Sequence, residues 1–160
     1  MASSLSDPIP FSHASHSHLL PAIASLHASC ITESNAVSFF HPPLSLPSIE
    51  AWWESQIQSV EAGTKVLVIN LNPAHNDQVL GAALLSVPWS QTGPFRSTIE
   101  GVWVKPEWQR RGLGSNLLRK LEEVAKGMQR GLIMAVAEVS MERFWVGNEY
   151  KKVKVSTLIS

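Results

Sequence analysis

Several features are scarce in this 160-residue chain, and each absence narrows the class of protein. The single cysteine, Cys30, excludes an internal disulfide, as is typical of proteins from reducing compartments. Thirteen basic residues balance thirteen acidic ones, so the chain has no net charge to attract nucleic acid or an anionic membrane. No apolar run approaches the roughly 20 residues that cross a bilayer. The first residues also lack the basic and apolar regions of a secretory signal, so we expect a cytoplasmic protein without nucleic-acid or membrane partners.

The chain is rich enough in apolar residues, 44% of the total, to build one globular domain with its own core. We expect residues 1–18, which are polar and rich in Ser and His, to be loosely ordered, and residues 19–160 to form a single domain. His13, His16 and His18 fall in this first segment without a nearby cysteine or carboxylate cluster, so the sequence predicts no metal site.

The spacing of apolar residues and the order of the predicted elements indicate a mixed α/β fold with helices on both faces of one central sheet. Ser48 is the expected N-cap of the second helix, and Gly63 its end. The segment 132–137 has no polar side chain, so we expect both of its faces to be covered. The predicted strands are 9–14, 65–70, 79–87, 98–104, 132–137 and 151–159, and the predicted helices are 19–31, 49–62, 116–126 and 140–146.

A short turn between the strand 98–104 and the helix 116–126 carries the strongest chemical signal in the chain. It contains Arg110, Arg111, Gly112 and Gly114 directly after an apolar strand. The first N–H groups of a helix have no partner within the helix, and the helix dipole adds partial positive charge there. Glycines let the backbone approach a ligand closely. The segment therefore predicts a site for phosphate or diphosphate.

The spacing of this turn excludes two common phosphate loops. An ATP or GTP loop would need a Lys after its last glycine, and a dinucleotide loop would need a third glycine. The turn Gln109-Arg110-Arg111-Gly112-Leu113-Gly114 instead resembles the [Q/R]-x-x-G-x-[G/A] signature of the GNAT superfamily of N-acetyltransferases. The strand before it and the helix and strand after it match the order of that family. The alternative is a glycine turn that only starts a helix.

The resemblance covers most of the chain from about Leu19, and it implies an acetyl-CoA-dependent N-acetyltransferase. It also implies the GNAT fold, with a mixed, mostly antiparallel central sheet and helices on both of its faces. The narrower similarity is to small-molecule acetyltransferases of the tabtoxin-resistance type. The chain departs from the family near its end: the last helix is short, Glu149 stands where Gly is usual, and the final strand is expected to be missing. An acetyl-CoA-binding module with little turnover, or an acetyltransferase acting on peptides or proteins, therefore remains an alternative.

The family's cofactor residues can be carried over position by position. In the family the diphosphate of acetyl-CoA is wrapped by the glycine turn, and the pantetheine arm pairs with the free edge of the preceding strand. An N–H group near Trp103 or Val104 is expected to face the thioester oxygen. The resulting cofactor-binding residues are Val102, Trp103, Val104, Gln109, Arg110, Arg111, Gly112, Leu113, Gly114 and Ser115.

The direct reaction needs a proton acceptor for the attacking amine, and Glu100 is the best candidate because many family members carry a carboxylate at this position. The alternative is a glutamate that faces solvent or pairs with Arg96. The family often uses a tyrosine as the acid for the leaving thiol. Trp145 occupies that position and is a poor acid, while Tyr150 falls at a core position of the pattern. We therefore expect no dedicated acid, or a water molecule.

The acceptor is expected to be a small-molecule amine, bound by acidic and aromatic groups. Glu54 and Trp89 are the substrate-binding candidates; His41, Phe39 and Phe40 lie in segments that flank the same side in the family. Acetyl-CoA is the expected co-substrate, with no metal. The sequence is compatible with a monomer or a homodimer.

Overall fold

A computed structural model of the chain describes residues 6–34, 43–87, 95–135 and 142–151. They form an α/β fold around one five-stranded sheet with the order β1-β2-β3-β4-β5. The strands are β1 (Ile9–Pro10), β2 (Lys65–Asn72), β3 (His75–Ser86), β4 (Arg96–Val104) and β5 (Leu132–Ala135). The helices are α1 (His13–His16), α2 (Leu20–Ser34), α3 (Leu46–Glu61), α4 (Leu113–Gly127) and α5 (Glu142–Gly147), with 3-10 turns at Ser17–Leu19 and Pro106–Trp108.

The pairing of the strands is antiparallel from β1 to β4 and parallel only between β4 and β5. A tight hairpin joins β2 to β3, with Asn72 opposite His75 and Pro73 and Ala74 at its tip. The connection is therefore shorter than the gap between the predicted strands 65–70 and 79–87, because residues 71–72 and 75–78 continue the two strands. The mixed, mostly antiparallel sheet confirms the predicted fold class.

Two hydrophobic cores cover the two faces of the sheet. One lies between the sheet and helices α2 and α3, and its largest buried side chains include Trp53, Ile23 and Leu84. The other lies under α4, where Leu117, Leu118 and Leu121 pack on Val68, Ala83 and Ile99. Aromatic residues of α5 pack on the second core from its edge. The sheet therefore has helices on both faces, as the apolar stripes predicted.

The N-terminal segment corrects one expectation. Residues 9–18, expected to be loosely ordered, contain β1, α1 and most of the first 3-10 turn. Ile9 and Pro10 pair with Ile69 and Val68, and the Phe11 N–H donates to Leu67 O at 2.7 Å. Phe11 is buried in the first core. Although most residues of this segment are polar, burial of the Phe11 side chain holds the strand against β2.

The starts of two helices and the exposure of one strand also differ from prediction. The Ser45 side chain caps α3 by accepting the N–H of Ser48 at 3.4 Å, so Ser48 is inside the helix and is not the cap. Helix α4 begins at Leu113, three residues before the predicted start. In β5, Leu132 and Met134 are each 42% exposed, so the expectation that both faces of this strand are covered was wrong for the described residues. The predicted strand 151–159 lies outside the described part beyond Lys151.

Candidate active site

The turn after β4 places an unusual backbone at the start of a long helix. Gly112 has φ +82° and is the N-cap of α4, and Arg110 has φ +63°. A non-glycine residue in this left-handed region costs roughly 1 to 2 kcal/mol, and such strain is concentrated at functional sites. The first N–H that closes the helix is that of Asn116, which donates to Gly112 O at 3.0 Å. The N–H groups of residues 113–115 therefore precede the helical hydrogen bonds, as do the N–H groups that bind anions at other helix N-termini.

The arginines of the turn add charge beside this site. The Arg111 guanidinium stacks on the Trp108 ring, 4.7 Å from the ring centroid, so its direction is set by a cation–π contact. Arg110 and Arg111 are both exposed, and Ser115 is half-buried at the first turn of α4. Leu113 differs from its neighbours because its side chain is 1% exposed and belongs to the core. Only its backbone N–H can therefore meet a ligand.

Beside this turn, β4 pairs with β5 from Arg96 to Ile99, where the described part of β5 ends. Beyond Ile99, no strand among the described residues pairs with this side of β4, and we call that stretch the open edge. On the other edge, Lys105 N–H donates to Leu80 O of β3 at 2.8 Å. Because backbone groups alternate between the two edges of a strand, those of Val102 and Val104 point to the β5 side. This open edge ends directly at the anion site.

At the end of this edge, Val104 O is already engaged. It accepts a hydrogen bond from the Gln109 side chain at 3.3 Å and one from the Cys30 thiol at 3.3 Å. Gln109 therefore ties the turn to the strand that precedes it. Burial raises the pKa of Cys30 to about 11, so the thiol is protonated at neutral pH. A buried, protonated thiol is a small core residue rather than a nucleophile.

The geometry of Trp103 corrects its assignment as a cofactor contact. Its side chain is 4% exposed and lies in the first core, with its ring centroid 5.1 Å from that of Trp53 and 4.9 Å from that of His27. Its backbone lies opposite Ala82 of β3 and not at the open edge. The side chains of Val102 and Val104, in contrast, face the α4 side of the sheet. The family resemblance carried over three consecutive residues of the strand, and it did not show which of them turn their backbone groups toward β3.

The candidate base, Glu100, lies at a bulge. Leu84 and Leu85 of β3 are adjacent, but their partners Gly101 and Ile99 are not, which leaves Glu100 as the extra residue. A bulge re-aims a side chain and often occurs next to active sites. Glu100 Oε2 accepts a hydrogen bond from Lys65 Nζ at 2.7 Å, and Lys65 also donates to Gln56 Oε1 of α3. The alternative pairing of Glu100 with Arg96 is not what the structure shows.

Sequence reasoning missed Lys65 and Gln56, because each looks like an ordinary residue of a strand start and of a helix surface. A signal for Gln56 was present: it lies on the same helical stripe as Trp53 and Ile49 and is 8% exposed. Glu54, the predicted substrate residue of α3, is exposed, and the α3 side chain that reaches the Glu100 ion pair is Gln56. Trp89, Phe39, Phe40 and His41 lie outside the described residues.

The two aromatic residues near the end of the described chain are in the second core. Trp145 stacks edge-on against Phe144 and Tyr150, with ring centroids 5.2 Å and 5.1 Å apart. The Tyr150 hydroxyl donates to Glu122 Oε1 of α4 at 3.2 Å. Burial, reinforced by the Glu122 carboxylate, raises the pKa of Tyr150 above its usual range. Tyr150 therefore sits at a core position, as the pattern predicted.

A depression of about 470 Å³ lies between α2 and the β2–β3 hairpin. Its lining includes Ser25, Ser29, His75 and Asp77, and also Lys105, the residue before the 3-10 turn Pro106–Trp108. The lining includes neither the open edge nor the start of α4.

Within the described ranges, no three His, Cys, Asp or Glu side chains are grouped to hold a metal ion. None of the described helices combines the length and the apolar character that crossing a membrane requires.

The comparisons with known proteins show the family of this chain. The sequence pattern of the acetyltransferase (GNAT) family matches residues 28–151, which include the whole turn, the open edge and Glu100. The chain therefore belongs to the acetyltransferase (GNAT) family and is an N-acetyltransferase of that family.

Solved structures show the same fold at low sequence identity. The aminoglycoside N-acetyltransferase AAC(6')-Iy, solved with the bisubstrate analogue CoA-S-monomethyl-acetylneamine, is 13% identical with a TM-score of 0.71 over 99% of this chain and 98% of that chain. An aminoglycoside acetyltransferase from an uncultured soil metagenomic sample, in complex with sisomicin, is 12% identical with a TM-score of 0.66 over 96% and 94%. A putative acetyltransferase from Pyrococcus furiosus is 18% identical with a TM-score of 0.63 over 96% and 99%.

Proposed function

We propose that the chain transfers the acetyl group of acetyl-CoA to the amine of a small molecule by direct attack, with both substrates bound together. The observation that carries the proposal is the continuity of two features. The edge of β4 that exposes the backbone of Val102 and the N–H of Val104, without a strand partner among the described residues, leads into the helix N-terminus at residues 112–115. A ligand with an extended, amide-containing arm could pair with this strand edge, while a diphosphate at the end of the arm binds at the helix N-terminus.

The turn supplies the diphosphate site through its backbone. Gly112 offers an approach free of side-chain atoms, since no atom lies within 4 Å of the position where a Cβ would stand. The N–H groups of Leu113, Gly114 and Ser115 would donate to the phosphate oxygens, and the dipole of the 15-residue helix α4 adds to the attraction. Arg110 and Arg111 would neutralise the remaining negative charge.

The open edge of β4 would pair with the pantetheine arm as an added strand. Of the two residues that direct backbone groups to this edge, Val102 is the nearer to Glu100. We therefore assign the Val102 N–H as the donor that faces the thioester oxygen as negative charge develops on it. This replaces the sequence-based expectation for Trp103, whose backbone lies opposite Ala82.

Glu100 is the proposed base. It lies at the bulge, directly after Ile99, the last residue of β4 with a described partner in β5, and so at the start of the open edge. Its carboxylate would accept the proton of the attacking amine, directly or through one water. The departing thiol has an ordinary pKa near 8.5 and needs no dedicated acid, in agreement with the core positions of Trp145 and Tyr150.

A small amine is the proposed acceptor, supported by the aminoglycoside ligand in the sisomicin complex of a structural neighbour. We place the reaction in the cytoplasm, which suits a chain with one buried cysteine. Identification of the amine needs an acceptor panel of aminoglycosides, polyamines, amino acids and peptides, with release of the CoA thiol as the readout. Release with small amines supports the proposal. CoA binding without release by any acceptor would indicate a binding module, and release with peptides alone would indicate a peptide acetyltransferase.

The diphosphate site has a sharper test with a matched control. Gly112→Asp places a carboxylate at the mouth of the anion site, and we expect CoA affinity measured by calorimetry to fall at least tenfold. Gly63→Asp is the control, because Gly63 has φ +81° and equally open space around it but lies at the end of α3. Both variants carry the same backbone strain, so only the first should lose CoA. Equal affinities in the two variants would refute the assignment of the turn.

A further inference from the structure

The ion pair between Lys65 and Glu100 differs from the other ion pairs of the described residues. Its N–O distance is 2.7 Å, and the two side chains are 20% and 24% exposed. The pairs His13–Glu61, Lys105–Glu107 and Lys120–Glu123 have distances of 4.0, 3.9 and 3.6 Å, and each has a partner that is more than half exposed. Exposed pairs contribute little and are screened by salt, whereas a short and covered pair fixes its two groups in space.

Glu100 needs such a partner because of its place at the bulge. The extra residue of a bulge has no partner in the strand ladder, so the pleat of the sheet does not fix its direction. Lys65 starts β2, on the far side of β3 from β4, and its ammonium reaches across the sheet to the Glu100 carboxylate. On the helix side, Gln56 Oε1 accepts from the same ammonium. The Lys65 ammonium is thus held by both the sheet and α3.

We propose that Lys65, anchored by Gln56, is a positioning residue that holds Glu100 for catalysis; the inference rests on the proposed function. Lys65 binds Oε2, which leaves Oε1 to receive the proton of the neutral amine as the new N–C bond forms and the C–S bond breaks. The thiolate takes its proton from water, and Glu100 returns its proton to solvent after product release. Among the described residues, Lys65 is the charged group at ion-pair distance from Glu100. The neighbouring elements contribute neutral side chains: Gln56 of α3 binds Lys65, and Leu84 and Leu85 of β3 lie opposite the bulge.

The test is a double-mutant cycle on turnover. Wild type, Lys65→Met, Glu100→Gln and the double variant are compared with a saturating acceptor, and CoA affinity is measured separately. We expect Lys65→Met to lower kcat about 10- to 100-fold, with CoA affinity and acceptor KM within about twofold, because misplacement of a base acts on the chemical step. In the Glu100→Gln background, the same change should alter kcat less than about twofold. Lys65→Arg should retain more activity than Lys65→Met, and Lys120→Met on the surface of α4 is the neutral control.

A measurement without substrate tests the pair itself. Urea unfolding of the same four proteins should show non-additive losses of stability, since the two side chains contact each other in the folded protein. Additive losses in unfolding would overturn the inference, as would an unchanged kcat in Lys65→Met or an equal loss of kcat in both backgrounds.

The outcomes also separate this inference from the proposed function. A wild-type protein that releases no thiol with any acceptor refutes the proposed transfer and the inference with it. If Glu100→Gln is as active as the wild type, Glu100 is not the base and the inference is overturned. The proposal that the chain transfers acetyl groups would still stand.

Discussion

Protonation of His27 should control the acid stability of the core that supports β4. His27 lies on α2 with no exposed surface, and the Trp53 indole N–H donates to its Nδ1 at 3.0 Å. A nitrogen that accepts a hydrogen bond carries no proton, so the folded protein holds His27 neutral. Burial accordingly lowers the pKa of His27 from 6.5 to about 4. The ring also lies 4.9 Å from Trp103, the neighbour of the open edge.

The sign and size of the effect follow from these two values. Between pH 4 and pH 6.5 the unfolded chain binds a proton at His27 that the folded chain does not, so stability falls as pH decreases through this window. The free energy of unfolding at pH 4.5 is therefore about 2 to 3 kcal/mol lower than above pH 6.5. For a chain of this size, that corresponds to a fall in Tm of roughly 5 to 10 °C.

The assay is urea unfolding of wild type and His27→Gln at pH 7.5 and pH 4.5. Glutamine can still accept the Trp53 N–H but does not titrate, so carboxylate effects cancel when the two proteins are compared. We expect the wild type to lose about 2 to 3 kcal/mol more than the variant between the two pH values. An equal loss in both proteins would show that His27 is not a buried neutral group and would refute the reasoning.

Two further predictions address the turn and the leaving group. A Cβ on Gly114 would lie 3.1 Å from Phe144 Cε2 and 3.7 Å from Val104 Cγ2, so Gly114→Val should displace the start of α4 and weaken CoA binding measured by calorimetry several-fold. The added change Phe144→Ala should restore part of that affinity, and no recovery would place the defect elsewhere. Tyr150→Phe should lose the hydrogen bond to Glu122 and about 1 kcal/mol of stability, with kcat unchanged. A large loss of kcat in this variant would make Tyr150 a catalytic acid after all.

The sequence by itself determined the features that depend on neighbours along the chain. The turn 109–115 was predicted because its arginines, its glycines and the helix that follows are contiguous, and a helix N-terminus is an anion site wherever it occurs. The amphipathic stripe of α4 and the apolar strand β4 were predicted for the same reason. The family resemblance and the mixed sheet with helices on both faces were likewise predictable from the order of the elements.

The tertiary structure decided which groups meet across the sheet. Sequence spacing does not show that Lys65, 35 residues before Glu100, holds its carboxylate, because that contact depends on two strand registers and a bulge. The same registers direct the backbone of Trp103 toward β3 and that of Val102 toward the free edge. Strand alternation is a local rule, but which side of β4 faces β3 and which faces β5 is set by the order of strands in the folded sheet.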